Sequence, residues 1–151
     1  MEKPKSEKTW KLDHIGVVVK DLQEAIKFYE VLGIGPFVPN PSERATNRKI
    51  RGKPAENVKV KGACTQMGPI QFELMQPVEG ESVQKEFLQR RGEGINHISF
   101  LVDDIDGKVA ELEAKGFKVI SSGKVPPKGA FAYMDTDKIG GICFALELRN
   151  K

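Results

Sequence analysis

The sequence predicts an α+β domain made of two βαβββ halves. The main observation is an internal repeat, in which DHIGVVVKDLQEAIKFYEVLG (Asp13 to Gly33) aligns without a gap with NHISFLVDDIDGKVAELEAKG (Asn96 to Gly116). The two segments are identical at His14/His97, Ile15/Ile98, Val19/Val102, Asp21/Asp104, Glu30/Glu113 and Gly33/Gly116. In each half, short runs of β-branched and aromatic residues follow, separated by glycine, proline and aspartate. A chain of 151 residues, 39% of them hydrophobic, can bury one such core.

Each repeat begins as a strand and continues as a helix. Val17 to Val19 and Phe100 to Val102 are rich in β-branched and aromatic residues, which favour a strand. Asp21 and Glu24 have the spacing of a helix capping box. One face of the following helix is apolar, with Ala25, Ile26, Tyr29 and Leu32. Gly33 can adopt the left-handed conformation that ends a helix.

The later strands set the boundaries of the halves. In the first half we predict them in ENVKVKGACTQMG and PIQFELMQP, after the proline-rich loop GPFVPNPSE. In the second half we predict them in FKVISSG, GAFAYMDTD and GICFALELR. The prediction is therefore a single domain, residues 1–151, with a first βαβββ module at about 10–79, a linking helix at 80–94 and a second βαβββ module at 95–148.

Composition and charge argue against several classes of partner. Lys and Arg number 24 against 21 Asp and Glu, and the charges are mostly interleaved, so no nucleic-acid partner is predicted. No apolar run approaches the roughly 18 residues of a transmembrane helix, so no membrane partner is predicted. The polar start MEKPKSEKTW lacks the apolar core of a secretory signal. Cys64 and Cys143 lack C-x-x-C spacing, and we predict reduced thiols in a cytoplasmic protein, with a disulfide as the alternative.

The two histidines are the first candidates for chemistry. His14 and His97 are the only histidines of the chain, and they occupy equivalent positions of the repeat. A single histidine in a strand is more often structural, but related halves pack around a pseudo-two-fold axis at which equivalent residues can meet. Strand alternation places the small residues Gly16 and Ser99 on the same faces as the histidines, which leaves room beside each ring. A metal site shared by the two halves is therefore predicted.

Glu73 is the third candidate donor. In the strand IQFELMQP it shares one face with Gln71 and Met75, and its immediate neighbours are apolar. A buried carboxylate is costly unless it is paired or bound to a cation, so we interpret Glu73 as a ligand; the alternative is a solvent-facing side of the sheet. In the second half, FAL aligns with FEL and places Ala145 at the equivalent position. Glu147 lies two residues further, about 6.6 Å along the strand.

Four segments in this order resemble a known family: LDHIGVVVKDLQEAIKFYEVLG, FELMQPVEGES, RGEGINHISFLVDDID and GAFAYMDTDKIGGI. From about Trp10 to Leu148 the chain resembles the vicinal oxygen chelate (glyoxalase/bleomycin resistance/dioxygenase) superfamily, and within it the methylmalonyl-CoA epimerases most closely. The resemblance implies paired βαβββ modules that form a curved, half-open mixed β-barrel around a divalent metal. It also implies a homodimer.

The resemblance further implies the ligands and the reaction. His14, Glu73 and His97 are the implied metal ligands, whereas Ala145 stands where the family has a fourth ligand, a glutamate. The implied activity is that of an isomerase, the epimerisation of methylmalonyl-CoA or a related acyl-CoA or small carboxylate substrate. A metal that binds the thioester and carboxylate oxygens stabilises the enolate as the α-proton leaves.

The base and the metal are less well defined by the sequence. Glu147 is the first candidate for the base and Glu56 the second. Histidine and carboxylate ligands suit Co²⁺, Mn²⁺, Ni²⁺ or Zn²⁺. At the position of Ala145, water, substrate oxygens or Glu147 would complete the coordination of the metal, or the epimerase activity would be lost.

Three other functions share the same residues. A lactoylglutathione lyase-like lyase would lack contacts to CoA phosphates, for which the basic candidates are Arg48, Lys49, Arg51, Lys53 and Lys128. Most of these lie in the basic segment 44–61. The alternative interpretation of that segment is a solvated loop and edge strand. An Fe²⁺ dioxygenase would use two histidines and one carboxylate, but the family's dioxygenases have a glutamate where Ala145 stands. A non-catalytic small-molecule-binding module is favoured by Ala145 and opposed by the three donors.

Overall fold

The chain forms one curled, mixed sheet of ten strands with three α-helices within residues 10–150, the part that the computed structural model describes. The strands are β1 (Lys11–Val18), β2 (Val38–Pro39), β3 (Thr46–Ile50), β4 (Lys53–Pro54), β5 (Lys59–Met67), β6 (Ile70–Glu79), β7 (Gly94–Leu101), β8 (Val119–Val125), β9 (Gly129–Met134) and β10 (Cys143–Leu148). The helices are α1 (Leu22–Val31), α2 (Val83–Arg91) and α3 (Ile105–Ala114), with a 3₁₀ turn at Pro41–Arg44. The predicted α+β class and half-barrel are confirmed, and α2 falls within the predicted linking segment.

The helices of both repeats begin and end as their sequences predict. The Asp21 carboxylate accepts a hydrogen bond from the backbone N–H of Glu24 at 3.0 Å and caps α1. The Asp104 carboxylate accepts one from Gly107 at 2.9 Å and caps α3. Gly33, after α1, has φ +85°, a conformation that a residue with a side chain rarely adopts.

Replacing Asp104 with alanine is expected to lower the free energy of unfolding by about 1 kcal/mol, because the Gly107 N–H loses its acceptor. Urea denaturation measures this change. The control is Glu113→Ala at the other end of the same helix, for which we expect less than about 0.5 kcal/mol. Equal effects of the two substitutions would show that the cap contributes nothing specific.

The two halves meet at the centre of the sheet. The strand order is β2-β5-β6-β1-β7-β10-β9-β8-β3-β4, and the central pair β1–β7 is antiparallel. Strand β6 is parallel to β1, and β10 is parallel to β7. The registers are equivalent, because Gly16 lies opposite Glu73 and Ser99 lies opposite Ala145. Ala145 therefore occupies the structural position of Glu73 in the second half.

The first half departs from a simple βαβββ order at its edge. Strand β2 has only two residues and pairs with β5. Pro36, Pro39 and Pro41 lie in or beside it, and proline cannot donate a backbone hydrogen bond to a neighbouring strand. The chain then crosses to the other half, where β3 pairs with β8 and β4 pairs with β3. The repeat alone does not predict this crossing, which places part of the basic segment 44–61 on the second half.

The side chains of strand β6 point alternately to the side of the sheet that packs against the helices and to the opposite side. Phe72 and Leu74 pack with Ala25 and Tyr29 of α1 in one apolar cluster. Because side chains alternate along a strand, Glu73 points to the opposite side of the sheet. Burial of Leu74 on one side thus fixes the direction of the carboxylate on the other.

Neither cysteine forms a disulfide. Cys64 and Cys143 are buried free thiols, in agreement with the predicted reduced state. Burial raises the pKa of Cys143 to about 12, so this thiol stays protonated at neutral pH. Within residues 10–150, no helix combines the length and the apolar character that crossing a membrane requires.

Candidate metal centre

His14 and His97 come together across the β1–β7 pair. Their Nε2 atoms are 3.0 Å apart, and both residues are buried. Gly16 lies opposite His97 in the register, and a Cβ at Gly16 would come within 2.0 Å of His97 Cε1. The space that the sequence predicts beside the histidines is therefore the space that the His97 ring fills.

The second nitrogen of each ring is held by the preceding residue. The Nδ1–H of His14 donates to Asp13 Oδ2 at 2.7 Å, and the Nδ1–H of His97 donates to Asn96 Oδ1 at 3.2 Å. These tautomers, assigned from the hydrogen bonds, leave an unshared electron pair on each Nε2. Two such pairs repel each other across 3.0 Å. With these tautomers, a cation between the rings, either a proton or a metal ion, removes the repulsion.

In the metal-free protein, the pKa values of the two histidines shift in opposite directions, which favours one shared proton between the two Nε2 atoms. Burial opposes protonation of His14, but Glu73, Asp13 and Glu147 outweigh it and raise its pKa to about 10. Burial and the charge on His14 lower the pKa of His97 well below its ordinary value. One imidazolium therefore donates to one imidazole at neutral pH, and a metal ion that binds here must displace that proton.

Glu73 adds a carboxylate to the pair. Its Oε2 is 3.9 Å from His14 Nε2, and its Oε1 is 3.7 Å from His97 Nε2. The three buried side chains each offer a donor atom, and these atoms lie within 4.8 Å of one another. Ligand atoms that bind one ion at about 2.0–2.2 Å lie roughly 3–4 Å apart. The spacing therefore fits a single divalent metal without a large rearrangement.

Two further side chains hold the Glu73 carboxylate. The Asn40 Nδ2 donates to Glu73 Oε2, and Cys64 Sγ lies 3.7 Å from the same oxygen as a second donor. Gly62 leaves room for this contact, because a Cβ there would lie 3.1 Å from Asn40 Cβ. Burial raises the pKa of Glu73, with His14 opposing that effect. A buried carboxylate is stabilised more strongly by a nearby cation than an exposed carboxylate is.

The position opposite Glu73 provides no fourth donor. Ala145 is 1% exposed and cannot bind a metal. Glu147 lies at the other edge of the His14 ring, where its Oε2 is 3.2 Å from Nδ1. The proton on that nitrogen is directed at Asp13, so Glu147 Oε2 is buried without a hydrogen bond. Glu147 forms a second cluster with Asp13 and His14 and does not join the first.

The donor set borders a cavity of 380 Å³. His14, Glu73 and Glu147 line it, whereas Glu56 is exposed in the loop between β4 and β5 and is not among the lining residues. Of the two candidates for the base, Glu147 is the one that lines the cavity. Of the basic residues nominated for CoA phosphates, Arg48 lines the cavity, and Lys49, Arg51, Lys53 and Lys128 do not.

Asp13 and Arg149 also belong to the site, and neither is among the residues that the sequence predicts. A register shift between Leu12 and His14 makes Asp13 the extra residue of a β-bulge, which brings its carboxylate to the His14 ring. Regular alternation would direct Asp13 to the opposite face. Arg149 Nη2 donates to Asp13 Oδ2 at 2.7 Å. The only signal in the sequence is that Asp or Asn precedes each histidine.

Replacing Asp13 with asparagine is expected to weaken divalent metal binding roughly 10- to 100-fold, because the charged acceptor that fixes the His14 tautomer is lost. Competition with a metal-sensitive dye measures the affinity. Asp106→Asn, at an exposed position of α3, should leave the affinity unchanged. An unchanged affinity of the Asp13 variant would show that Asp13 does not support His14.

Comparison with known proteins identifies the family. The model of the Glyoxalase/Bleomycin resistance protein/Dioxygenase superfamily matches residues 13–133. The uncharacterized protein YqjC of Bacillus subtilis (strain 168) is 30% identical over 141 residues, which cover 90% of this chain and 90% of that protein. Mitochondrial methylmalonyl-CoA epimerase of Mus musculus is 28% identical over 151 residues, which cover 94% of this chain and 76% of that enzyme.

A solved structure supports the same fold. A variant of Streptomyces coelicolor methylmalonyl-CoA epimerase, in complex with 2-nitronate-propionyl-CoA, superimposes with a TM-score of 0.69 at 20% identity. The match covers 95% of this chain and 99% of that one. The match of the family model over residues 13–133 shows that the chain belongs to the glyoxalase/bleomycin resistance protein/dioxygenase superfamily.

Proposed function

We propose that the protein is a metal-dependent epimerase of methylmalonyl-CoA or a related acyl-CoA. The observation that carries the proposal is the buried set His14, Glu73 and His97 beside a cavity that is also lined by Glu147, whose Oε2 has no hydrogen bond. Removal of a proton next to a carbonyl group needs a cation near the oxygen and a base near the carbon. The similarity to named methylmalonyl-CoA epimerases supports this choice of substrate.

His14 and His97 would hold the metal through Nε2, and Glu73 would hold it through its carboxylate. These donors fit Co²⁺, Mn²⁺, Ni²⁺ or Zn²⁺. When bound, the ion withdraws electron density from the substrate carbonyl and lowers the barrier to enolate formation. Because Ala145 supplies no donor, the three side chains leave coordination positions open for substrate or water.

Glu147 would remove the α-proton. Its Oε2 accepts no hydrogen bond within the protein, so this oxygen would be able to accept the α-proton of the substrate. Arg149 Nε lies 3.9 Å from Oε1 and helps to hold the side chain. The resulting enolate is planar at the α-carbon. Water in the cavity would then give a proton to the opposite face, which inverts the configuration, and the hydroxide left behind would take up the proton held by Glu147.

Elemental analysis, followed by incubation with methylmalonyl-CoA in D₂O, tests the proposal. We expect about one divalent ion per chain and entry of deuterium at the α-carbon. Bound metal without exchange of the α-proton for deuterium would contradict the proposed epimerase activity. The same preparation would then be assayed with the hemithioacetal of glutathione and methylglyoxal, the substrate type of a lactoylglutathione lyase-like enzyme.

Ala145 favours a second candidate, a non-catalytic small-molecule-binding module. This alternative predicts binding of metal and of an acyl-CoA, but no exchange of the α-proton with either substrate type. The cytoplasmic location and the homodimer inferred from the resemblance are further predictions. Light scattering of the purified chain tests the homodimer.

A further inference from the structure

Arg48 differs from Arg51 and Arg149 in having no acidic partner. Within residues 10–150, no carboxylate forms an ion pair with its guanidinium. By contrast, Arg51 forms a two-pronged pair with Glu86 at 3.0 and 2.8 Å, and Arg149 lies 2.7 Å from a carboxylate oxygen of Asp13. Arg48 is thus a cation without a counter-ion.

The contacts of Arg48 hold it in place and leave donors free. Its Nη2 donates to the backbone oxygen of Ser42 at 3.0 Å, and the guanidinium carbon lies 5.9 Å from the centre of the Phe131 ring. A guanidinium has five N–H donors, so most remain available. Burial lowers the pKa of Arg48, which means that its charge is partly removed from water. A partly desolvated cation gains from an anionic partner.

The backbone of β3 is shaped to direct Arg48 inward. Thr46 pairs with Lys124 and Lys49 pairs with Ser122, so β3 contains one more residue than the facing segment of β8. The irregularity includes a non-glycine residue, Asn47, with φ +50°. Such bulges redirect side chains and are common beside functional sites. The side chains before and after Arg48 are exposed, whereas Arg48 itself is half-buried and lines the cavity.

The other basic residues of the cavity are not both partly desolvated and without an acidic partner, as Arg48 is. Lys61 lines the cavity but is solvent-exposed, and Arg149 is already paired. Glu73 and Glu147 on the cavity wall are acidic and would repel an anion. We propose that Arg48 is the anion-binding residue of the cavity, and that the ligand it selects carries a carboxylate or phosphate group. Under the proposed function, on which this choice of ligand rests, that group belongs to the malonyl-type acyl chain or to CoA.

Calorimetric binding to the metal-reconstituted protein tests the proposal without any measurement of turnover. The probes are malonyl-CoA, propionyl-CoA, malonyl-pantetheine and the neutral propionyl-pantetheine. Arg48→Gln should weaken binding of malonyl-CoA roughly 10- to 100-fold, the worth of a charge-assisted hydrogen-bonded pair. Arg48→Lys should recover part of the loss. Arg51→Gln is the matched control, with the same change of charge outside the cavity, and should stay within about twofold of the wild type.

The pattern across the probes separates the two sources of the anion. A loss with malonyl-pantetheine assigns the carboxylate, and a loss with propionyl-CoA assigns the phosphates, provided that neutral propionyl-pantetheine is unaffected. The proposal is overturned if Arg48→Gln weakens binding of the charged probes no more than Arg51→Gln does. It is also overturned if Arg48→Gln weakens binding of the neutral probe as much as that of the charged ones, or if the wild type binds no charged probe. Binding through Arg48 without α-proton exchange would retain this inference and reject the epimerase.

Discussion

Replacing Gly16 with alanine is expected to abolish metal binding and to lower the free energy of unfolding by about 2 kcal/mol, the middle of the range for overpacked cores. The new Cβ would come within 2.0 Å of His97 Cε1 and within 2.5 Å of Nδ1. The His97 ring is fully buried and has no open space into which it can move. It must therefore leave the position from which its Nε2 faces His14.

The matched control for this substitution is Gly94→Ala. Gly94 also lies in a strand of the central pair, and the nearest atom to a Cβ there is Phe87 Cζ at 4.0 Å, an ordinary contact. We expect that variant to bind metal like the wild type. Urea denaturation and dye competition measure the two effects. If the Gly16 variant keeps wild-type metal affinity, the ring of His97 does not supply a ligand from its present position.

Replacing Glu147 with glutamine is expected to reduce α-proton exchange by roughly 10²- to 10⁴-fold, the contribution of a positioned general base. Glutamine has the same shape but cannot accept the proton. Metal affinity should change little, because Glu147 lies at the Nδ1 edge of the His14 ring and outside the three-donor set. Deuterium incorporation into methylmalonyl-CoA, together with metal titration, measures the two properties separately.

Glu79→Gln, at the exposed end of β6, is the control for the change from carboxylate to amide. It should alter neither exchange nor metal binding. Wild-type exchange in the Glu147 variant would remove Glu147 from the mechanism. Loss of metal together with exchange would instead make Glu147 a ligand that moves to the ion, in place of the glutamate missing at Ala145.

The part of the site that the sequence predicts is the part carried by the repeat. His14 and His97 occupy equivalent strand positions, so a pseudo-two-fold axis brings them together whatever the details of the loops. The same logic places Ala145 at the counterpart of Glu73, and the strand registers confirm that equivalence. Regular alternation along an uninterrupted strand is also sufficient to predict the direction of Glu73.

The features that the sequence did not predict arise from breaks in regularity. One bulge brings the carboxylate of Asp13 to the imidazole ring of its neighbour His14. Another bulge directs Arg48 into the cavity. The position of a bulge depends on pairing with a strand distant in the sequence, so no local pattern specifies it. The crossing of β3 to the second half likewise depends on which sheet edge is free, a property of the assembled fold.

The central claim is that His14, Glu73 and His97 together hold one divalent metal ion. Its most direct test is elemental analysis of the purified wild type and of His97→Ala after identical exposure to Co²⁺, Mn²⁺, Ni²⁺ and Zn²⁺. The account predicts about one tightly bound ion per wild-type chain and none in the variant, with both proteins folded by circular dichroism. Equal metal content in the two proteins, or no metal in the wild type with any of the four ions, would contradict it.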